Sequence, residues 1–115
     1  MRNVLDPFQA IADPSRRQML VMLTKDKLSI NSLAGNFDMS RPAVSKHVRV
    51  LNEAGLIQIT DQGRERLCEL REDGFDEIKN WLIFFDQFWK EKLQNLEHLL
   101  NKRLESGGGE HLPSK

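Results

Sequence analysis

The sequence predicts a mainly α-helical fold with a small β-hairpin and a long C-terminal helix. Residues 40–55 carry the signals of a helix start and a helix stop around an apolar stripe. Residues 56–70 contain two short β-like runs separated by a glycine-containing turn. Residues 75–105 place apolar side chains at intervals of three and four residues, with no internal glycine or proline. We expect one domain over residues 1–105 and a disordered, glycine-rich tail over residues 106–115.

The helix of residues 40–55 is marked at both ends. Ser40 can accept a hydrogen bond from a first-turn N–H, and Pro42 fits near the start because its missing N–H breaks no intrahelical bond there. Gly55 stands where a left-handed residue commonly ends a helix. At about 100° per residue, one face is apolar and predicted to meet the core: Val44, Val48 and Leu51. The opposite face has hydroxyls and fixed cations: Pro42, Ser45, Lys46 and Arg49, with Arg41 at its edge.

The neighbouring elements decide whether this cationic face is merely solvated, which is the ordinary use of charged residues. Upstream, residues 31–36 predict a short helix, joined to the next one by a turn at residues 38–40. Its predicted buried side chains are Leu33, Ala34 and Phe37. Two helices joined so tightly form a helix-turn-helix, whose second helix can lie in the major groove of DNA.

A β-hairpin is predicted directly after this pair of helices. Residues 56–60 and 64–70 are its strands, and residues 61–63 are its turn. Arg64 and Arg66 lie near its tip. Helix, turn, helix and hairpin together predict a winged helix-turn-helix.

Two earlier helices, over residues 6–12 and 14–25, are predicted because an aspartate followed by a proline marks each start. Arg16 and Arg17 fit a solubilising role better than a phosphate contact. Residues 28–30 predict a short extended piece that forms a third strand beside the hairpin. The surest core positions of the second helix are Leu20 and Leu23.

Composition excludes several classes of protein. The formal net charge is zero, yet residues 1–66 have ten Lys and Arg against seven Asp and Glu, and residues 67–115 have seven against ten. A neutral protein can still present a basic face, since salt screens charges beyond about 10 Å. Cys68 is the single cysteine, which excludes an intramolecular disulfide. No apolar run approaches the roughly 20 residues of a membrane span, and no signal-peptide pattern is present, so we expect a cytoplasmic protein.

The residues that bind metals or catalyse reactions form no recognisable pattern. The histidines and the cysteine, which are His47, His98, His111 and Cys68, do not fall at ligand spacing. A metal site shared across a dimer, with His98 and Glu97 or Glu91, stays open. We expect His47 to be a packed, hydrogen-bonded histidine and Cys68 a small buried hydrophobe. There is no glycine-rich phosphate loop or nucleophile elbow, and we expect neither an enzyme nor a cofactor.

The C-terminal helix is too long for a domain of this size to cover, because some 30 residues give roughly 45 Å of helix. Part of its apolar stripe must meet something else, and the simplest candidate is a second copy. An aromatic box for a cofactor is the less favoured use of the aromatic cluster at residues 81–89. We predict a homodimer whose contacts include Phe8, Trp81, Phe85, Phe88, Trp89, Leu96 and Leu100.

The run SRPAVSKHVRVLNEAGLI, preceded by DPSRRQMLVML and followed by GRERLCEL, resembles the arsenical-resistance-repressor (ArsR) family of bacterial winged-helix regulators. The resemblance covers roughly residues 6–105 and is strongest to the metal-independent branch of small autorepressors. Metal-sensing members carry a Cys-x-Cys pair in the helix that precedes the DNA-reading helix, here the helix of residues 40–55. Here that stretch reads Ile-Asn-Ser-Leu-Ala-Gly, without a thiolate.

The resemblance implies a homodimeric, sequence-specific DNA-binding repressor that does not sense metal. The residues expected at DNA are Ser40, Arg41, Pro42, Ser45, Lys46, Arg49, Arg64 and Arg66. Arg41 or Arg49 is the better candidate for reading a guanine, and Lys46 for neutralising a phosphate. The alternative is a winged-helix interaction module that binds a protein partner through its aromatic C-terminal helix. The sequence identifies no inducing ligand or protein.

Overall fold

A computed structural model describes residues 5–107. Five α-helices and a three-stranded sheet follow one another in these residues, which confirms the predicted mainly α-helical winged fold. The elements are α1 (Pro7–Ala10), α2 (Pro14–Leu23), β1 (Leu28–Ser29), α3 (Ile30–Ala34), α4 (Arg41–Glu53), β2 (Ile57–Gln62), β3 (Glu65–Leu70), a 3-10 turn (Glu72–Phe75) and α5 (Asp76–Gly107).

Side-chain caps begin the first four helices. The carboxylates of Asp6 and Asp13 accept from the backbone N–H of the residue two or three positions further on, each at 3.0 Å. The Ser40 hydroxyl accepts from the N–H of Ala43 at 3.2 Å, as predicted for α4. Ser29, which the sequence placed only in a strand, also caps α3. These caps satisfy N–H groups that have no partner within the helix.

The sheet is antiparallel, with β3 between β1 and β2. The predicted third strand is confirmed, because β1 pairs Leu28 with Cys68. The hairpin pairs continue to Gln62 opposite Glu65, so its loop is Gly63 and Arg64 rather than residues 61–63. Gly63 takes φ 63°, the left-handed conformation that a two-residue loop needs.

The described residues divide into two compact units, 5–79 and 80–107. In the first, helices α1 to α4 and the sheet share one core, and the predicted apolar stripe of α4 is buried in it. Leu20, Leu23 and Leu33 are buried as predicted, whereas Ala34 and Phe37 are only half-buried. The largest fully buried side chains are Met19, Leu33, Leu51, Leu56, Ile57, Val44, Val48 and Cys68.

Two glycines close the end of α4. Gly55 has φ 82°, which confirms the predicted left-handed stop. Gly74, in the 3-10 turn, lies so near that a Cβ built on it would be 1.8 Å from the Gly55 carbonyl oxygen. The N–H of Arg71 donates to the carbonyl of Leu56 at 2.9 Å beside this approach. The 3-10 turn therefore packs directly on the backbone that follows α4.

The second unit consists, in its described part, of residues 80–107 of α5. The predicted helix of residues 75–105 is confirmed, and it continues through Gly107 into the first residues of the predicted tail. The remainder of that tail, residues 108–115, lies outside the described residues. Aromatic rings pack edge to face along the helix, with centroids 5.0 Å apart for Trp81 and Phe85 and 5.2 Å apart for Phe88 and Trp89. None of the helices between residues 5 and 107 combines the length and apolar character of a membrane span.

Candidate nucleic-acid interface

Helix α4 has two faces of opposite character. Val44, Val48 and Leu51 are at most 1% exposed and belong to the core. The predicted DNA-facing side chains lie on the accessible side: Ser40, Arg41, Pro42, Lys46 and Arg49 are exposed and Ser45 is half-buried. The helix therefore offers hydroxyls and cations to a partner while its other face holds it in the fold.

Arg41 is held between two helices. Its Nε donates to the side-chain carbonyl of Asn31 at 2.8 Å, and its Nη1 donates to the hydroxyl of Ser45. Lys46 and Arg49, by contrast, have no ionic partner within residues 5–107. Arg41 is thus ordered in advance, whereas the other two cations are available to an anion.

The wing adds two arginines at a different place. Arg64 stands in the two-residue loop and is exposed. Arg66 forms an ion pair with Asp61, with 3.3 Å between Nε and Oδ1, and both side chains are mostly in solvent. Such exposed pairs contribute only about 0–1 kcal/mol, so a phosphate could replace the aspartate at little cost.

A cleft of about 250 Å³ separates α4 from the wing. Arg49 and Arg66 line it from opposite sides, so the structure brings two of the predicted DNA contacts to one place. Asn52 also lines the cleft, and sequence reasoning missed it. Its signal was its position three residues after Arg49, on the same side of the helix. Ser45, a third predicted DNA contact, also lines the cleft, together with Ile30, Val48 and Ile59.

Arg16 and Arg17 donate to backbone carbonyls, a role that the sequence did not predict. Arg16 donates from Nε to Ala10 at 2.7 Å and from Nη2 to Gln9 at 3.2 Å. Arg17 donates from Nη1 to the carbonyl of Ile11 at 2.8 Å. These carbonyls lie at or just after the end of α1, and that of Gln9 also accepts from the N–H of Ala12 at 3.2 Å. The two arginines therefore fix the corner between α1 and α2.

His47 is a half-buried, hydrogen-bonded histidine, as predicted. Its Nδ1 lies 3.2 Å from Nη1 of Arg16, and its Nε2 lies 4.0 Å from Oδ2 of Asp13. The hydrogen bond from the backbone N–H of Arg16 lowers the pKa of Asp13, and the charge of Arg16 acts in the same direction against desolvation. Asp13 is thus a charged cap beside the inner side of α4.

Metal-binding side chains do not converge in the described residues: within 5–107, no three His, Cys, Asp or Glu are grouped to hold an ion. Cys68 is fully buried in β3, which confirms its prediction as a small hydrophobe. Burial raises the pKa of its thiol, with the charge of Arg66 acting in the opposite direction. This thiol is therefore a poor ligand and a poor nucleophile in the folded chain.

The side chains predicted to make dimer contacts lie on α5, apart from Phe8, which is half-buried in α1. Trp81, Trp89 and Leu96 are each more than half exposed in the single chain. Phe85 and Phe88 are also exposed, and Leu100 is half-buried.

Residues 13–58, which include α2, α3 and α4, match the family model described as "Bacterial regulatory protein, arsR family". The HTH-type transcriptional regulator Rv2034 of Mycobacterium tuberculosis is 33% identical over 94 residues, which are 82% of this chain and 85% of that protein. The chain belongs to the arsR family. This confirms the resemblance drawn from the motifs, and it makes the protein a transcriptional regulator and not an enzyme.

Other regulators are similar over most of this chain. The transcriptional repressor SdpR of Bacillus subtilis is 31% identical over 85 residues, which are 74% of this chain and 91% of SdpR. A crystal structure described as a possible transcriptional regulator for arsenical resistance superposes with a TM-score of 0.65 at 38% identity. The superposition covers 83% of this chain and 96% of the chain in that crystal structure. The shared fold therefore extends well beyond the helix-turn-helix.

Proposed function

We propose that this arsR-family regulator is a homodimeric repressor that binds an operator through α4 and the wing. The observation that carries the proposal is the division of α4 into a buried apolar face and an exposed cationic face. An exposed helix face with free cations can enter a major groove, while the buried face transmits its position to the fold. A regulator that binds operator DNA must be in the compartment that contains the DNA, which agrees with the predicted cytoplasmic location.

Each predicted contact has a chemical role in this proposal. Arg41 and Arg49 carry the fork of donors that pairs with a guanine edge, and Lys46 suits a phosphate. Ser40, Pro42 and Ser45 are small enough for the backbone of α4 to approach DNA closely. Arg64 and Arg66 would contact phosphates beside the groove, and Asn52 joins them at the cleft.

The dimer is supported by the apolar surface of α5. The exposed fractions of Trp81, Trp89 and Leu96 are 52%, 58% and 53%, and eight further large apolar side chains in the described part of α5 are also exposed. Contiguous apolar surface on this scale marks an interaction site. A second copy is the occupant that also places two reading helices on one operator, since helix-turn-helix dimers bind two half-sites about 34–36 Å apart.

The test begins with footprinting of bound genomic sites to obtain the operator. Arg49→Ala is expected to weaken operator binding by about 1–3 kcal/mol and to relax specificity at one base pair, because a bidentate contact to a guanine is lost. Lys46→Ala is expected to weaken binding to all sequences about equally and to reduce the slope of log K against log salt by roughly one unit per subunit. Binding is measured by fluorescence anisotropy across a salt series.

Val48→Ala is the matched control on the opposite face of α4. It is expected to lower the free energy of unfolding by roughly 1–2.5 kcal/mol through lost burial, while the same sequence is still preferred. If Arg49→Ala and Lys46→Ala both leave operator affinity unchanged, the cationic face is only solvated and the proposed interface is wrong.

A further inference from the structure

We propose that Arg16 and His47 are positioning residues that set the rotation of the reading helix α4 and thereby the affinity for DNA, without contacting it. The inference rests on the proposed function, because its effect is measured as operator binding. It concerns the inner side of α4, opposite the cations that are expected to meet DNA.

The Arg16 guanidinium joins three elements with its fork of donors. Nε and Nη2 donate to the carbonyls of Ala10 and Gln9 at the end of α1, at 2.7 and 3.2 Å. Nη1 lies 3.2 Å from Nδ1 of His47 on α4. Because Arg16 belongs to α2, a single planar group fixes the mutual positions of α1, α2 and α4.

This contact also defines the state of the imidazole. A guanidinium has only donors, so Nδ1 of His47 must be the acceptor and the ring proton must be on Nε2. Nε2 then faces the Asp13 carboxylate at 4.0 Å, which attracts it without a direct hydrogen bond. Asp13 is itself held as the cap of α2 by the N–H of Arg16 at 3.0 Å.

A directional contact is needed here because the rest of the α4 interface is largely apolar. Val44, Val48 and Leu51 hold the helix by burial, which has no preferred direction and permits small rotations. The bond at His47 resists rotation one residue from Lys46 and two from Arg49. A second tie at the end of the helix, from the N–H of Leu5 to the carbonyl of Glu53 at 3.4 Å, also connects it to the chain around α1.

The decisive comparison is His47→Asn against His47→Leu. The Oδ1 of asparagine stands about where Nδ1 stands in histidine and can still accept from Arg16, whereas leucine fills the space without an acceptor. We expect His47→Leu to weaken operator binding about tenfold, the scale of one lost hydrogen bond to a charged group, and His47→Asn to stay within about twofold of the wild type. Equal losses in the two variants would overturn the proposal.

A direct contact between His47 and DNA is distinguished by repeating His47→Leu in an Arg16→Gln background. If His47 acts through Arg16, its loss there shrinks to about twofold, whereas a direct contact to DNA would keep the full tenfold loss. Should Arg16→Gln fail to fold, ring ¹⁵N spectra of the wild type decide instead. A proton on Nε2 and an unprotonated Nδ1 at neutral pH are expected, and a proton on Nδ1 would overturn the proposal.

Failure of this inference is distinguishable from failure of the proposed function. If Arg49→Ala weakens operator binding while His47→Leu does not, the interface stands and the positioning role is wrong. If the wild type binds no DNA, both are wrong.

Discussion

Gly74 lies so close to the backbone of Gly55 that position 74 leaves no room for a side chain. A Cβ on Gly74 would lie 1.8 Å from the Gly55 carbonyl oxygen and 2.7 Å from its carbonyl carbon. Backbone atoms cannot move aside as the end of a flexible side chain can. The glycine is therefore required by space at this position, not by its φ angle.

Gly74→Ala is expected to destabilise the fold by about 3 kcal/mol, the upper end of the usual cost of overpacking. In thermal unfolding this corresponds to a fall in melting temperature of more than 10 °C, at roughly 4–8 °C per kcal/mol for a domain of this size.

Gly35→Ala is the matched control. Its added Cβ would meet the carbonyl oxygens of Ser32 and Asn31 at 3.6 and 3.7 Å, which are ordinary contacts, and its φ of −66° suits alanine. A change of less than about 1 kcal/mol is expected there. A similar melting temperature for both variants would contradict the argument from space.

Side chains that bind distant backbone could not be predicted from the sequence. The motif Asp-Pro-Ser-Arg-Arg indicates the start of α2, and this was confirmed. The partners of Arg16 and Arg17, however, are carbonyls at the end of α1, and they come within reach only through the angle between the two helices. The sequence does not distinguish a charged residue that is solvated near a helix start from one that donates to the carbonyls of a neighbouring helix.

At the scale of elements, the helix ends were predicted more accurately than the pairing of the hairpin strands. Both ends of α4 and the start of α2 follow from a cap, a proline or a glycine, and each was found where the sequence placed it. The predicted loop at residues 61–63 was wrong because Asp61 and Gln62 are poor strand formers. On that ground, the first strand was predicted to end before Asp61. Their pairing with Arg66 and Glu65 is imposed by the two-residue loop at Gly63 and Arg64.

Helix α3 has no Cys-x-Cys pair, the metal-binding feature of metal-sensing relatives, so a metal effector is not expected. We expect stoichiometric zinc, cadmium or arsenite to leave operator affinity unchanged, measured by the same anisotropy titration. The single thiol, Cys68, is buried, and burial raises its pKa, so the folded chain presents no thiolate ligand at this position.

Cys68→Ser is the companion variant. It is expected to retain DNA binding, with a modest loss of stability because a hydroxyl replaces a buried thiol. A loss of operator affinity of tenfold or more on adding metal, restored by a chelator, would contradict the expectation that the protein does not sense metal.

At the scale of the whole molecule, charge and apolar surface are distributed in different parts of the chain. The first 66 residues hold the excess of Lys and Arg, and they contain α4 and the arginines of the wing. The apolar stripe of α5 was predictable from its periodicity alone, because its spacing of three and four residues continues without interruption. Periodicity does not say which part of a stripe meets the fold and which part meets a partner, since both require the same residue types.

Leu96→Asp tests whether the stripe of α5 joins two copies. Leu96 is 53% exposed in the single chain, so a carboxylate there should not unfold it, whereas in a dimer it would be buried without a partner at a cost of several kcal/mol. Sedimentation at micromolar concentration is expected to give twice the chain mass for the wild type and a single chain for the variant, with weaker operator binding. Asn95→Asp adds the same charge one residue earlier on α5, at an exposed polar position, and is expected to leave the dimer intact. A wild type that sediments as a single chain throughout the micromolar range would contradict the homodimer and require another occupant for this surface.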